Sequence, residues 1–393
     1  LETHMYQLSF NIKTPNGVKT LSKQEFINEY WQKKPALIKS GFNDFVDPIS
    51  PDELAGLAME ECIESRLISN HNNEWQAHHG PFEDFELLTP NNSTLLVQAV
   101  DHWHPEAASL IEPFRFIPNW RIDDLMISFS TPNGGVGPHL DQYDVFIIQG
   151  QGKRHWRVGE STQTVNEVIP CKDLLQIDGF EACIDEVLEP GDILYIPPGC
   201  PHEGYAVENA MNYSVGFRAP NQRELLSSFS DYLIDNDSGN KRYSDPTIQL
   251  RSNPGEFLQS EVHNVKTQMI NALNNGKDFN LWLLKSLSEA KHDLDLAPVE
   301  DEFDEDYVRE LLSQDIEIHR LGGIRCFYLS TEDALLFAVN GEVITLDNNC
   351  LTWVKILCQY ISLTSEEIKS FTSCSHFIQN FTNLLNEGYW YIN

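Results

Sequence analysis

Short apolar runs alternate with glycine and proline turns between residues 122 and 218. Branched and aromatic residues fill the runs, and charged or turn-forming residues separate them. The runs are LMISFST, YDVFIIQG, KRHWRVG, DEVLEPGDILYIPPG and MNYSVGFR. This pattern is typical of the strands of an all-β barrel or jelly roll, so we predict such a barrel in the middle of the chain.

Helical periodicity precedes and follows the predicted barrel. A capping-box pattern begins a helix at Ser22 that is expected to run up to Pro35. Asn221 is the expected N-cap of the first helix after the barrel. Two further helices are predicted around residues 254–275 and 278–291. Their apolar positions suit either a core or a dimer seam, and we expect a helical dimerisation segment here.

The C-terminal region has the pattern of a small mixed domain. The acidic run VEDEFDED (299–306) is expected to be a solvated linker. Two β-like runs then meet at a hairpin turn at Asn340-Gly341. Helices are expected near residues 350–361, 365–371 and 376–386, before a closing strand YWYI. This order favours a winged-helix-like domain.

The chain is therefore expected to be an α+β protein in three parts. Its 393 residues are enough for two or three domains. We predict a barrel domain with N-terminal helical and strand elements at 5–220, a helical segment at 221–298, and the winged-helix-like domain at 299–393. The opening residues 1–4 are expected to be a scar from an expression vector, with Met5 as the native start.

The net charge and the cysteine content indicate which partners and which compartment to expect. A net charge of −32 opposes direct nucleic-acid binding, which depends on Lys and Arg at phosphates, and it favours a basic protein partner. The eight cysteines form no Cys-x-x-Cys pair, so reduced thiols in a cytoplasmic protein are expected. We find no run of about 18 apolar residues that would predict a membrane span, and no signal-peptide pattern.

A histidine and an aspartate lie two positions apart, directly after Gly-Pro in GPHLDQYDVFIIQG. Residues i and i+2 of a strand share one face, so His139 and Asp141 are expected side by side. His202 follows the turn PPGCP and would come from a separate strand. Two imidazoles and one carboxylate form the facial triad of non-haem Fe(II) sites. The simpler alternative is a hydrogen-bonded surface pair between His139 and Asp141.

Other histidine pairs are interpreted as structural. His102 and His104, in DHWHP, lie beside the helical pattern PEAASLIEPF, where residues i and i+2 do not face each other. His78 and His79 are adjacent and are expected in a loop.

The stretches GPHLDQYDVFIIQGQGKRHWRVG, PGDILYIPPGCPHEG, LMISFST and YWQKKPALIK resemble the JmjC-type cupins of the ribosomal oxygenases. Within that family the likeness is greatest to the bacterial arginine hydroxylases of ribosomal proteins. It extends over essentially the whole chain after Met5. The resemblance implies a double-stranded β-helix (cupin, JmjC) catalytic domain, a helical dimerisation segment and a C-terminal winged helix.

This resemblance also implies an oxygenase that uses Fe(II), 2-oxoglutarate and O2. His139, Asp141 and His202 would hold the iron and form the catalytic centre. The dry walls of the site are expected from barrel residues, although some of them must face outward. These residues are Phe129, Phe146, Ile148 and Trp156.

The resemblance further implies a binding site for the distal carboxylate of 2-oxoglutarate. Arg154 aligns with the family's arginine, whose planar fork pairs bidentately with a carboxylate. Lys153 is the neighbouring alternative, but adjacent strand residues face opposite ways. Ser130 aligns with the family's serine, and Ser128 lies on the same strand face and could replace it.

The implied substrate is an arginine side chain of a basic large-subunit ribosomal protein, bound by a homodimeric enzyme. Gln142 and Tyr143 are candidate substrate contacts, although ordinary packing explains them equally well. Hydroxylation of a ribosomal histidine is one alternative. Another is a non-enzymatic cupin scaffold that binds a basic protein. A cupin isomerase or thiol dioxygenase is disfavoured, because such sites are rich in histidine and need no oxoglutarate arginine.

Overall fold

The computed structural model of the chain describes residues 6–297, 299 and 301–392, so the expected start at Met5 lies outside the described residues. In chain order the strands are β1 (Phe10–Thr14), β2 (Gly17–Leu21), β3 (Ala36–Ile38), β4 (Ser65–His71), β5 (Glu74–His79), β6 (Ser93–Val97), β7 (Ile122–Ser130), β8 (Val145–Gln149), β9 (Arg154–Gly159), β10 (Glu167–Cys171), β11 (Leu174–Ile177), β12 (Ala182–Leu188), β13 (Ile193–Ile196), β14 (His202–Ala206), β15 (Ala210–Phe217), β16 (Glu317–Arg320), β17 (Cys326–Ser330), β18 (Leu335–Val339), β19 (Glu342–Leu346), β20 (Ser362–Thr364) and β21 (Trp390–Ile392). The α-helices are α1 (Lys23–Glu29), α2 (Pro51–Leu57), α3 (Pro105–Ala108), α4 (Gln222–Asp235), α5 (Gln259–Leu273), α6 (Gly276–Ser288), α7 (Glu305–Leu312), α8 (Leu351–Gln359), α9 (Ser365–Ile368) and α10 (Ser375–Asn386).

Two antiparallel sheets face each other in the middle of the chain and form the predicted barrel. The large sheet has the strand order β2-β1-β3-β13-β8-β15-β7-β6-β4-β5, and the small sheet has the order β12-β9-β14. Side chains from both sheets, among them Ile147 on β8, Trp156 on β9 and Leu194 on β13, pack together in the space between them.

Strand β8 is buried on both faces, which corrects one sequence interpretation. Ile147 faces the small sheet, whereas Phe146 and Ile148 join the core beneath the N-terminal elements. Phe129 packs against that same N-terminal core. Of the four expected wall residues, only Trp156 lies between the two sheets, because alternate residues of a strand face opposite sides.

Helix α1 is shorter than predicted. It ends at Glu29, well before Pro35, and the chain turns at Gln32, which has a φ of +56°. The Gln32 backbone amide donates to the Tyr195 hydroxyl at 2.7 Å, and its side-chain amide donates to the Asp144 carboxylate at 2.8 Å. These bonds tie the turn to the barrel, and they replace the helical bonds that the periodicity predicted.

The helical segment after the barrel is attached to the rest of the protein through α6. The predicted caps at Ser22 and Asn221 are confirmed, each within a reciprocal capping box. Helices α4 and α6 pack through Phe229 and Trp282, whose ring centroids are 5.1 Å apart. Helix α6 also packs on the β17–β19 sheet through Leu284, whereas α5 has no buried residue.

The C-terminal region builds two three-stranded sheets, β20-β16-β21 and β17-β18-β19. The predicted turn at Asn340-Gly341 joins β18 to β19, and both residues have positive φ, as a type I′ hairpin requires. The acidic run 299–306 was expected to be a solvated linker, but its last residues belong to α7. Asp304 caps this helix by accepting from the Tyr307 amide at 2.7 Å. A carboxylate suits that position because the helix dipole is positive there.

Arg218, at the end of β15, connects the barrel to the helical segment. Its guanidinium donates to the backbone carbonyls of Leu287 at 2.7 Å and Glu289 at 2.9 Å, and to the Asp123 carboxylate at 3.0 Å.

All eight cysteines are free thiols. Within the described ranges, no helix combines the length and apolar character needed to cross a membrane.

Candidate metal centre

The structure brings His139, Asp141 and His202 together at one end of the barrel. Their possible ligand atoms all lie within 4.8 Å of one another. Asp141 Oδ2 is 3.5 Å from His202 Nε2 and 4.0 Å from His139 Nε2. Among the described residues this is the one group of three or more His, Cys, Asp or Glu side chains close enough to hold a metal ion.

Backbone pairing, and not a regular strand, holds the His139 segment in place. The His139 amide donates to the His202 carbonyl at 2.9 Å, and the His202 amide donates back at 3.0 Å. The Gly199 amide donates to the Asp141 carbonyl at 2.8 Å. The sequence interpretation placed His139 and Asp141 on a strand, but they lie in the extended segment that leads into β8.

Both imidazoles are oriented by backbone carbonyls. His139 Nδ1 lies 2.9 Å from the Gly137 carbonyl oxygen, and His202 Nδ1 lies 2.9 Å from the Cys200 carbonyl oxygen. A carbonyl oxygen can only accept, so each Nδ1 donates its proton there, and Nε2 is the nitrogen of each ring that can bind a metal. This is the usual arrangement of metal-ligating histidines.

Burial and neighbouring groups keep His139 and Asp141 in their ligand forms. Burial, together with the neighbouring His202, lowers the pKa of His139 to about 4. Burial alone would raise the pKa of Asp141, but the hydrogen bond and charge of His202 and the charge of His139 outweigh it and lower that pKa to about 2. Near neutral pH the centre therefore presents a neutral His139 and an ionised Asp141.

Arg154 lies inside the barrel and has no carboxylate partner within the described ranges. The residue is 3% exposed. Its guanidinium donates to Ser130 Oγ at 2.7 Å and to the Gly204 carbonyl at 2.9 Å, while its Nε is buried without a partner. Burial lowers the pKa of Arg154 to about 10. An isolated buried cation is unfavourable, so this arrangement fits an anionic ligand that enters the barrel.

The side chains of the neighbouring candidates point in different directions. Lys153 points outward and pairs with Glu189 at 2.7 Å. Ser130 is the serine that contacts Arg154, whereas Ser128 makes no hydrogen bond to it. The Arg154 and Ser130 positions thus lie together, on facing sheets of the barrel.

Sequence reasoning missed the polar residues that support Arg154. Thr94 Oγ1 lies 3.0 Å from Ser130 Oγ. Asn212 Oδ1 lies 3.4 Å from the Arg154 guanidinium, and its amide donates to Gln149 Oε1 at 2.9 Å. Asn212 could have been noticed in the sequence, because it is a polar residue within the apolar strand MNYSVGFR. A buried amide needs hydrogen-bond partners, so its position indicates a polar site nearby.

The two candidate substrate contacts lie at the surface beside the metal group. Gln142 is exposed and makes no hydrogen bond in the part of the chain that the structure describes. Tyr143 is 43% exposed. Its partial burial and the neighbouring Asp141 charge raise its pKa above the ordinary value. Both side chains are therefore accessible to a macromolecule that approaches the metal.

The other histidines lie apart from the metal group. His102 is buried and its Nδ1 lies 2.9 Å from the Asp293 carbonyl oxygen, while His104 caps α3 with its ring nitrogen. Both are structural, as predicted. His78 and His79 were expected in a loop, but they lie in β5. Backbone pairing with β4 continues through both residues, although the strand is polar.

The residues present fit a metal with open coordination positions and an anionic co-substrate. Two imidazoles and one carboxylate suit non-haem Fe(II) and leave further positions for other ligands. The unpaired guanidinium of Arg154 suits a carboxylate of that co-substrate. Trp156, whose ring centroid is 6.3 Å from that of His202, provides an apolar wall close to the centre.

Two family models match the chain. One, described as a JmjC domain, matches residues 109–225, which include the metal group and Arg154. The other, described as a ROXA-like winged helix, matches residues 271–391. The predicted barrel type and the predicted C-terminal winged helix are thereby confirmed. The proposed boundaries at 220 and 298 remain predictions.

Full-length relatives are also found. The chain is 50% identical over 372 residues to the ribosomal protein uL16 3-hydroxylase of Escherichia coli strain K12, which covers 95% of this chain and 98% of that protein. It is 31% identical over 332 residues to a probable ribosomal oxygenase of Haemophilus influenzae, with 82% of each chain covered. A structure of YcfD, a ribosomal oxygenase from E. coli, in complex with cobalt and 2-oxoglutarate matches 99% of both chains with a TM-score of 0.87 and 48% identity.

Proposed function

We propose that this chain, which belongs to the JmjC-domain ribosomal oxygenases, is an Fe(II)- and 2-oxoglutarate-dependent oxygenase that hydroxylates an arginine side chain of ribosomal protein uL16. The observation that carries the proposal is the His139, Asp141 and His202 group, placed in the same barrel as a buried Arg154 that has no carboxylate partner in the described residues. The metal group by itself would fit several oxidative chemistries. The buried arginine makes the site specific for a co-substrate with a carboxylate.

The three side chains at the mouth of the barrel hold the metal. Each histidine offers Nε2 because its Nδ1 proton is committed to a backbone carbonyl. When bound, Fe(II) with 2-oxoglutarate and O2 supplies the oxidising power that places oxygen on an unactivated carbon. Asp141 would bring the negative charge that stabilises a divalent ion held together with the two imidazoles.

Arg154 and Ser130 bind the distal carboxylate of 2-oxoglutarate. The guanidinium is anchored by the Gly204 carbonyl, so it need not reorganise when the ligand arrives. Its ring neighbour Trp156, 5.2 Å from the guanidinium carbon, keeps this end of the site apolar. In such surroundings a guanidinium and a carboxylate attract strongly, and both charges are compensated.

The substrate approaches from the side of Gln142 and Tyr143. Both side chains are exposed next to the metal group, and we assign them to substrate contact. The net charge of −32 attracts a basic ribosomal protein at long range and opposes direct binding to RNA. We place the reaction in the cytoplasm, where ribosomal proteins are made and where the eight free cysteines stay reduced.

We also propose that the protein is a homodimer that associates through α5. No residue of this helix is buried, yet Val262, Val265 and Met269 recur on it at helical spacing and are 42%, 43% and 67% exposed. Further large apolar side chains are exposed in the preceding segment, including Ile248 and Phe257. Clustered exposed apolar side chains on one helix mark an interaction site, and two-fold association is the commonest way to cover them.

Charge on α5 should therefore separate the subunits. We expect Val265→Glu combined with Met269→Glu to give a monomer by light scattering at micromolar concentration, where the unchanged protein is a dimer. Val187→Glu is the matched control, because Val187 is 44% exposed on β12 of the barrel; it should remain a dimer. An unchanged protein that is monomeric would contradict the proposal.

The type of residue that is modified can be tested directly on uL16. After incubation of the purified chain and uL16 with Fe(II), 2-oxoglutarate and O2, fragmentation mass spectrometry should locate one added oxygen atom on an arginine. Omission of 2-oxoglutarate should remove the product. An oxygen atom on a histidine would favour the alternative histidine hydroxylase. Binding of uL16 without any product would favour the non-enzymatic scaffold.

A further inference from the structure

We infer that Gln176, on β11, is a positioning residue for the metal ligand His139, an inference that rests on the metal-binding role proposed above. Gln176 is 5% exposed. Its side-chain amide donates to the Val136 carbonyl at 2.8 Å, on the segment that leads into His139. Nothing in its polar side chain touches the metal group itself, so its effect must pass through the backbone.

Three consecutive carbonyls before His139 each have a defined partner. The Val136 carbonyl accepts from Gln176, and the Pro138 carbonyl accepts from the backbone amide of Ile177 at 2.9 Å. The Gly137 carbonyl, between them, accepts from His139 Nδ1 at 2.9 Å. Two neighbouring residues of β11 therefore fix the peptide groups on either side of the carbonyl that orients the ligand.

The Gln176 side chain packs against Gly137, a residue whose backbone is unusually flexible. Its φ is +81°, and a Cβ at this position would lie 2.0 Å from Gln176 Nε2. The Gln176 amide thus packs directly on the Gly137 backbone. Glycine has the widest conformational freedom of any residue, so without this contact fewer restraints hold the Gly137 carbonyl toward the imidazole.

The second histidine does not depend on a side chain in this way. His202 Nδ1 bonds to the Cys200 carbonyl, in a turn that is closed by the backbone bond from the Cys200 amide to the Pro197 carbonyl. Loss of Gln176 is therefore expected to affect His139 more than His202. For a ligating histidine, changes in the group that orients the ring typically weaken metal binding by about 10- to 100-fold.

The β10–β11 hairpin should keep its place when Gln176 is changed. Leu174 on β11 packs against Ile68 and Leu96 of the large sheet. The backbone bond from Ile177 to Pro138 also remains. Gln176→Ala is accordingly expected to fold, and its effect on metal binding can be measured.

The experiment is a titration of the metal-free full chain with Co(II), followed by its visible absorption. Gln176→Ala should bind Co(II) about 10- to 100-fold more weakly and give altered absorption bands, because these bands report ligand geometry. Gln176→Glu keeps the size of the side chain but loses the donor, and should be at least as weak. Gln163→Ala is the matched control, since Gln163 makes two hydrogen bonds to the Glu181 backbone away from the metal segment.

The outcomes distinguish the positioning role of Gln176 from the proposed metal binding. If the unchanged chain binds Co(II) and Gln176→Ala binds within twofold of it, Gln176 is not a positioning residue. The same conclusion follows if Gln163→Ala is weakened equally, or if Gln176→Glu behaves like the unchanged chain. If the unchanged chain itself fails to bind Co(II), the proposed metal function is wrong, and the role of Gln176 falls with it.

Discussion

Asp141→Ala is expected to abolish 2-oxoglutarate turnover. The change removes one of three ligands and the only negative charge of the metal group, and it leaves two imidazoles whose ring centroids are 4.2 Å apart. Changes to groups that merely orient ligands weaken metal binding by about 10- to 100-fold, so loss of a ligand should weaken it by more than about 100-fold. Succinate formation and Co(II) binding should fall together.

The control for this change is Asp185→Ala. Asp185 contacts His155 at 2.5 Å on the surface of the same barrel. The two residues form a histidine–carboxylate pair that has no second histidine to complete a metal group. We expect its loss to leave Co(II) binding and turnover within twofold of the unchanged protein. Asp141→Ala protein that still produced succinate at the normal rate would show that the metal is held elsewhere.

Arg154→Met is expected to raise the KM for 2-oxoglutarate by roughly 30-fold or more, because truncating one partner of a buried charge pair costs about 2–5 kcal/mol. The variant should be nearly as stable as the unchanged protein without ligand. Loss of the bonds to Ser130 and Gly204 is unfavourable, but loss of a buried cation without a carboxylate partner among the described residues offsets it. A binding defect without a stability defect would identify Arg154 as a ligand residue.

Two further variants define the role of Arg154. Arg154→Lys keeps the charge but not the planar fork, so its KM should lie between those of the methionine variant and the unchanged protein. Lys153→Met removes the neighbouring cation, which is exposed and paired with Glu189, and should leave the KM unchanged. Equal effects of the Lys153 and Arg154 changes would contradict the assignment.

Two residues of the metal group, His139 and Asp141, could be paired from the sequence because they lie two positions apart. A histidine and an aspartate two apart in an extended segment share a face whether or not that segment is a regular strand. His139 and Asp141 therefore come together even though the strand prediction was wrong at that point. The caps at Ser22 and Asn221 were predictable for the same reason, since both partners lie within four residues.

Features that depend on the packing of distant elements could not be predicted in this way. The side of β8 that each residue faces depends on which sheet covers it, so Phe146 and Ile148 were assigned to the wrong core. Asn212 and Gln176 act through contacts with segments far away in the sequence. A single sequence gives no register between such segments, and neither residue belongs to a motif.

In the proposed reaction, O2 oxidises the 2-oxoglutarate that the metal group and Arg154 hold, in step with hydroxylation of a ribosomal protein. The most direct test is to measure succinate and hydroxylated uL16 in the same reaction with Fe(II), 2-oxoglutarate and O2. We predict that uL16 stimulates succinate formation and that the two products appear in equal amounts once any succinate formed without uL16 is subtracted. Binding of uL16 with neither product would contradict the claim and leave the barrel as a scaffold.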